Sequence, residues 1–203
     1  YQYSLLNPLK IADIDGRDAR VTIDGNKINI EVEIFYTKSE DFKYSFDNKS
    51  ENTLLSYIGQ ANEQWNEAAS NIEFDGQKYD LTFDIKATEV YSAKTFQEIS
   101  SESSGKNFAV YKNEDTNPGV EGGNVLRIVD IEGKIFPRYS GSHEVGHLVG
   151  LHHPFPVGSK ELEESTDIMG YHEYHNPPQE HNVRDFLNLL DFNKAFQIIG
   201  GAK

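Results

Sequence analysis

Residues 143–153 read His-Glu-Val-Gly-His-Leu-Val-Gly-Leu-His-His, the run of the chain richest in groups able to do chemistry. His143 and His147 stand four residues apart, one helical turn, so a helix projects both imidazoles from one face. Two neutral imidazoles so placed can share a Zn²⁺ ion and leave positions for a third ligand and a water. Glu144, beside the first imidazole, is placed to reach that water as a general base rather than to bind the metal. Gly150 follows His147 by three residues. A glycine there can take φ > 0, end the helix and turn the chain back, presenting His153 as the third ligand and leaving His152 out of frame.

Composition points the same way. All seven histidines lie beyond residue 142, and the chain has no cysteine. Disulfides, thiolate zinc clusters, iron–sulfur ligation and a cysteine nucleophile are thereby excluded, and an all-imidazole site suits a catalytic zinc. His172 and His175 read as polar loop residues and His181 as a surface residue ahead of the last helix. The net charge of −14, from 33 acidic against 19 basic residues, argues against a nucleic-acid partner, since phosphate binding needs Lys and Arg. No apolar run approaches the roughly 20 residues that span a bilayer, so no membrane span is expected.

The pattern H-E-x-x-H-x-x-G-x-x-H, carried by His143, Glu144, His147, Gly150 and His153, resembles that of the metzincin clan of zinc endopeptidases. The chain's single methionine, Met169, lies sixteen residues after His153 in Asp167-Ile168-Met169-Gly170-Tyr171, a segment similar to the clan's Met-turn. The resemblance implies hydrolysis of peptide bonds by a metal-activated water, with His143, His147 and His153 on zinc and Glu144 as general base. Met169 would pack beneath the site without binding metal. Tyr171 would have a catalytic role, because astacin-like and serralysin-like members carry a zinc-binding, oxyanion-stabilising Tyr at that spacing. Pro154 directly after His153, and the short segment leading to Met169, leave the subfamily unassigned.

The implied fold is α+β: an upper lobe of twisted mixed sheet and helices over about residues 19–150, then a smaller irregular lower lobe over about 151–203 that ends in a helix. In that fold an edge strand above the zinc helix binds a protein or peptide substrate antiparallel. Residues 125–129 are the expected edge strand, making Leu126, Arg127 and Ile128 substrate-binding. Residues 154–168, with Phe155, Val157 and Leu162, would wall the pocket beyond the cleaved bond. Two other classes remain open: a zinc amidase acting on cell-wall peptides, and a binding module that holds zinc without turnover. Glu144 argues against the last, since a structural site needs no base and usually closes with a fourth ligand.

The elements that must position these groups are legible in outline. Val21 and Ile23, then Ile28, Ile30, Val32 and Ile34, alternate with polar residues around Asp24-Gly25-Asn26, which predicts a hairpin. Leu54, Leu55, Ile58, Ala61, Trp65 and Ala68 repeat at helical spacing and predict a helix over 52–69, capped by Asn52 or Thr53. A second hairpin turns at Asp75-Gly76, residues 98–107 read as a polar loop, and 108–111 and 125–131 read as strands. An amphipathic helix is expected over 183–199.

The opening residues carry a second resemblance. Tyr1-Gln2-Tyr3, Asn7-Pro8 and Asp13-Ile14-Asp15-Gly16 resemble the end of the repeat core in rearrangement-hotspot (Rhs, or YD-repeat) proteins, where a variable C-terminal toxin domain follows. Ile14 replaces the usual proline. With no initiating Met and no signal pattern, the chain reads as part of a longer polypeptide, with a lead-in over 1–18 and one domain over 19–203. The resemblance implies a peptidase toxin secreted or delivered out of the producing cell, with an immunity protein or inhibitor as a further partner.

Overall fold

The computed structural model describes residues 19–101, 106–112, 119–121, 125–129, 140–156, 159–161, 165–170, 176–194 and 196–199. The lead-in over residues 1–18 lies outside them, as do Tyr171, His172, His175, Val157 and Leu162.

The described chain is α+β and runs β1 (Ala19–Asp24), β2 (Lys27–Tyr36), α1 (Asn48–Ala68), β3 (Ile72–Phe74), β4 (Gln77–Glu89), α2 (Ala93–Ser101), β5 (Asn107–Lys112), β6 (Gly119–Glu121), β7 (Val125–Val129), α3 (Ser140–Leu148), α4 (Glu180–Leu187) and β8 (Phe196–Ile199). The strands form one mixed sheet with the path β3-β4-β2-β5-β7-β6. β4 lies parallel along the whole of β2, whereas β2's other side is shared. Its first half pairs antiparallel with β1 and its end pairs parallel with β5. β7 continues the parallel set beyond β5, and β6 closes that side antiparallel.

Alternation decides which face of β2 is buried. Ile28, Ile30, Val32 and Ile34 enter one core cluster with Leu54, Ile58, Ala61 and Trp65 of α1. Trp65 packs 5.3 Å from Phe83 of β4, centroid to centroid, and Phe83 packs 5.8 Å from Phe186 of α4. Burying side chains of this size is worth roughly 1.5–3 kcal/mol each, which ties α1, the sheet and α4 into one core.

Several expectations are corrected. α1 starts four residues earlier than its apolar period suggests, because Asp47 caps it: the Asp47 carboxylate accepts the Ser50 N–H at 2.7 Å and Ser50 Oγ accepts the Asp47 N–H at 2.9 Å. The first turn is then held by Glu51, which accepts from Tyr36 Oη at 2.6 Å and Lys38 Nζ at 2.8 Å. The predicted polar loop begins inside α2, anchored by fully buried Phe96 at 5.0 Å from Phe42 and 5.6 Å from Phe108.

The chain's last described element is a strand rather than the predicted C-terminal helix. α4 stops at Leu187, capped by Asn188, and Asp191 turns the chain by accepting the Asn193 N–H at 3.0 Å. Gln197 secures that turn, donating to Asp191 O at 2.9 Å and accepting the Asp191 N–H at 2.7 Å. β8 then satisfies the outer edge of β1, from Ala19 opposite Ile199 to Thr22 opposite Phe196.

Candidate metal centre

α3 is the element that matters most here, and it is buried along nearly its whole length. α1 fixes it at two points: Trp65 Nε1 donates to Ser142 O at 3.0 Å, and Ser142 Oγ donates to Gln64 Oε1 at 2.5 Å. A helix this short is marginal alone, so tertiary packing and end caps must hold it.

Its C-terminus is a Schellman turn. Gly150, at φ 91°, donates its N–H to His147 O at 3.0 Å, and the Leu151 N–H reaches Gly146 O at 2.9 Å. The reversal carries Leu151 O back to His147, whose Nδ1 lies 2.9 Å away. The glycine expected to turn the chain does so, and the turn also orients a ring.

His143, His147 and His153 come together as expected. One ring nitrogen from each lies within 4.8 Å of the others, and the ring centroids are 4.6 to 5.3 Å apart. Each Nδ1 has a backbone carbonyl partner: Ile168 O at 2.5 Å from His143, Leu151 O at 2.9 Å from His147 and Met169 O at 2.7 Å from His153. A carbonyl oxygen only accepts, so each Nδ1 carries its hydrogen and each neutral ring keeps its Nε2 lone pair for a ligand. Burial, helped by nearby His153 and His152, pulls the pKa of His147 down to about 4, so this imidazole is neutral at pH 7. Three imidazoles oriented through Nδ1, with no thiolate, fit a divalent transition metal, zinc among them.

Glu144 is buried beside His143 on α3. His152 is exposed and does not join the triad, as its frame predicts. Met169 packs under α3: a Cβ at Gly146 would collide with the Met169 sulfur and stand 3.1 Å from its Cε. Met169 therefore lies against the helix that carries His143 and His147, and Gly146 is what admits it.

The edge-strand expectation is corrected. β7, with Leu126, Arg127 and Ile128, lies between β5 and β6, with Leu126 and Ile128 buried in the core. β6 pairs outside it, Gly119 opposite Arg127 and Glu121 opposite Val125, and α3 lies close to β6. β6, which lies within the turn-rich stretch before β7, covers the edge that the resemblance implied was open. In the segment after His153, Phe155 is 42% exposed and so available to a ligand.

Reading the sequence missed Asp167. Its Oδ1 accepts the Met169 N–H at 2.7 Å and its carbonyl accepts the Gly170 N–H at 2.9 Å, closing the Met169 turn. His181, read as a surface residue, is exposed but pairs through Nε2 with Asp167 Oδ2. The only hint in sequence is an Asp two residues ahead of the methionine, the spacing of an Asx turn.

No protein-family model, curated protein or solved structure matches this chain.

Proposed function

We propose that this chain is a zinc-dependent endopeptidase of metzincin type, acting on protein or peptide substrates. The observation that carries the reading is the triad itself: three imidazoles whose Nδ1 atoms are all committed to backbone carbonyls, two of them on a helix that also supplies Glu144. A structural zinc site usually closes with a fourth protein ligand, whereas the cluster among the described residues has three. Zinc held there would supply Lewis acidity toward a carbonyl oxygen and toward water.

The chain's own residues would do the rest. Glu144 takes the proton of the attacking water and passes it to the leaving amine, work that suits a buried carboxylate. The Nδ1–carbonyl bonds keep the rings from turning during turnover. Substrate pairs antiparallel with the outer side of β6, the edge strand close to α3, in place of the β7 edge first expected. Phe155 offers apolar contact beyond the scissile bond. The catalytic role of Tyr171 is part of the proposal and rests on its spacing from Met169.

The test is digestion of an unstructured polypeptide by the zinc-loaded chain. Internal cleavage that stops with a chelator and returns with zinc is expected. A zinc-loaded chain that leaves both unfolded proteins and cell-wall peptides intact overturns the enzyme reading.

A further inference from the structure

Two of the three candidate ligand rings are oriented by consecutive carbonyls of a single turn, Ile168 O for His143 and Met169 O for His153. Whatever fixes that turn fixes two thirds of the site. Asp167 closes it twice, through Oδ1 to the Met169 N–H and through its carbonyl to the Gly170 N–H. These bonds hold the two peptide units on either side of Met169, the ones that carry Ile168 O and Met169 O.

The same carboxylate is tied to another element. Asn182 Nδ2 lies 3.1 Å from Asp167 Oδ1 and 3.2 Å from Oδ2, and His181 Nε2 also meets Oδ2. Asn182 is 2% exposed, and its Oδ1 is occupied by the Gln179 N–H at 2.9 Å. That bond settles which end of the amide is oxygen, so the nitrogen must face Asp167. Asn182 stands in the first turn of α4, which is seated by fully buried Val183, Phe186 and Leu187. An unbroken chain of hydrogen bonds thus runs from the start of α4 through Asn182 and Asp167 to the turn and the His143 and His153 rings. Chains of this kind in a low-dielectric interior reinforce one another.

We infer that Asp167 and Asn182 are a pair of positioning residues that transmit the placement of α4 to two metal-ligating rings. The inference rests on the zinc reading above and assigns it two residues outside the ligand set. Loss of such supporting partners typically lowers metal affinity about 10- to 100-fold.

The test compares wild type, Asp167→Ala, Asp167→Asn and the exchange Asp167→Asn/Asn182→Asp. Asp167→Asn keeps an oxygen for Met169 but sets one amide nitrogen against another. The exchange restores a donor opposite an acceptor. Zinc affinity, measured by competition with a chromophoric chelator, is expected to fall roughly 10- to 100-fold in both single variants and to recover within about threefold in the exchange. The visible spectrum of the Co²⁺-loaded protein should change and recover in parallel, a readout that loss of fold stability alone would not move. A folded single variant with wild-type zinc affinity and cobalt spectrum overturns the inference, as does a folded exchange as weak as Asp167→Asn. If Asp167→Ala does not fold, the asparagine variant and the exchange still decide. Wild type that takes up no zinc overturns the metal reading and this inference together, whereas zinc-binding wild type with indifferent variants overturns the positioning role alone.

Discussion

The sulfur of Met169 occupies the space that a side chain at Gly146 would need. One residue lies inside the histidine helix and the other in the turn below it, so the pair sets how closely the two approach. Gly146→Ala should force α3 and the turn apart at an overpacking cost of about 1–3 kcal/mol. In a chain of this size the apo protein should then melt roughly 2–12 °C lower. Gly146→Ala combined with Met169→Ala should recover part of the loss, because the methyl group enters space the shorter side chain vacates. Thermal unfolding followed by circular dichroism checks both. A single variant as stable as wild type would mean that the contact does not constrain the helix.

A second prediction concerns the open side of β4. β3 pairs with β4 only from Gln77 to Tyr79. Beyond that, α1 substitutes for a strand: Asn66 accepts the Phe83 N–H at 2.9 Å and donates to Phe83 O at 2.8 Å, and Asn62 accepts the Ile85 N–H at 2.9 Å. Asn66→Ala would strand both polar groups of a buried residue, at about 1–3 kcal/mol. It would also expose an unpaired strand edge to self-association. Urea unfolding and light scattering should show a less stable chain that aggregates more readily; a monodisperse variant of unchanged stability would refute this role.

The pH dependence of folding has an identified contributor in Glu51. The Lys38 ammonium and the Tyr36 hydroxyl hold the Glu51 carboxyl below its usual range. A carboxylate whose pKa is depressed by folding adds stability above its unfolded pKa and loses it as pH falls through the folded value. Glu51→Gln should therefore be less stable than wild type at pH 7, and the gap should close as pH drops below the ordinary carboxyl range. Unfolding free energies at pH 7 and pH 3 measure it. A gap independent of pH would locate the effect in shape rather than charge.

What could be seen in the sequence divides along physical lines. The histidine cluster was legible because the helical period dictates ligand spacing, and the turn at Gly150 because left-handed backbone favours glycine. The β1–β2 and β3–β4 hairpins were legible because alternation and Asp-Gly chemistry are local signals. Non-local pairing was not. Nothing within Phe196–Ile199 says that the outer edge of β1 awaits it, so by spacing alone its apolar residues continue the helical period of the preceding segment. In the same way, three residues of β6 displaced β7 from the edge through a contact its own alternation does not encode. Asp167 stayed hidden because its partners, Met169 N–H and Asn182, belong to a turn and a helix that meet only in the folded chain.

The central claim is that the triad and Glu144 form one hydrolytic centre. It is tested most directly by measuring zinc content and cleavage of an unstructured polypeptide side by side in wild type and Glu144→Ala. The account predicts about one zinc per chain in both proteins, since Glu144 is no ligand, with cleavage in the variant lower by roughly 10²–10⁴-fold. Cleavage surviving undiminished in zinc-loaded Glu144→Ala, or absent from zinc-loaded wild type, would contradict it.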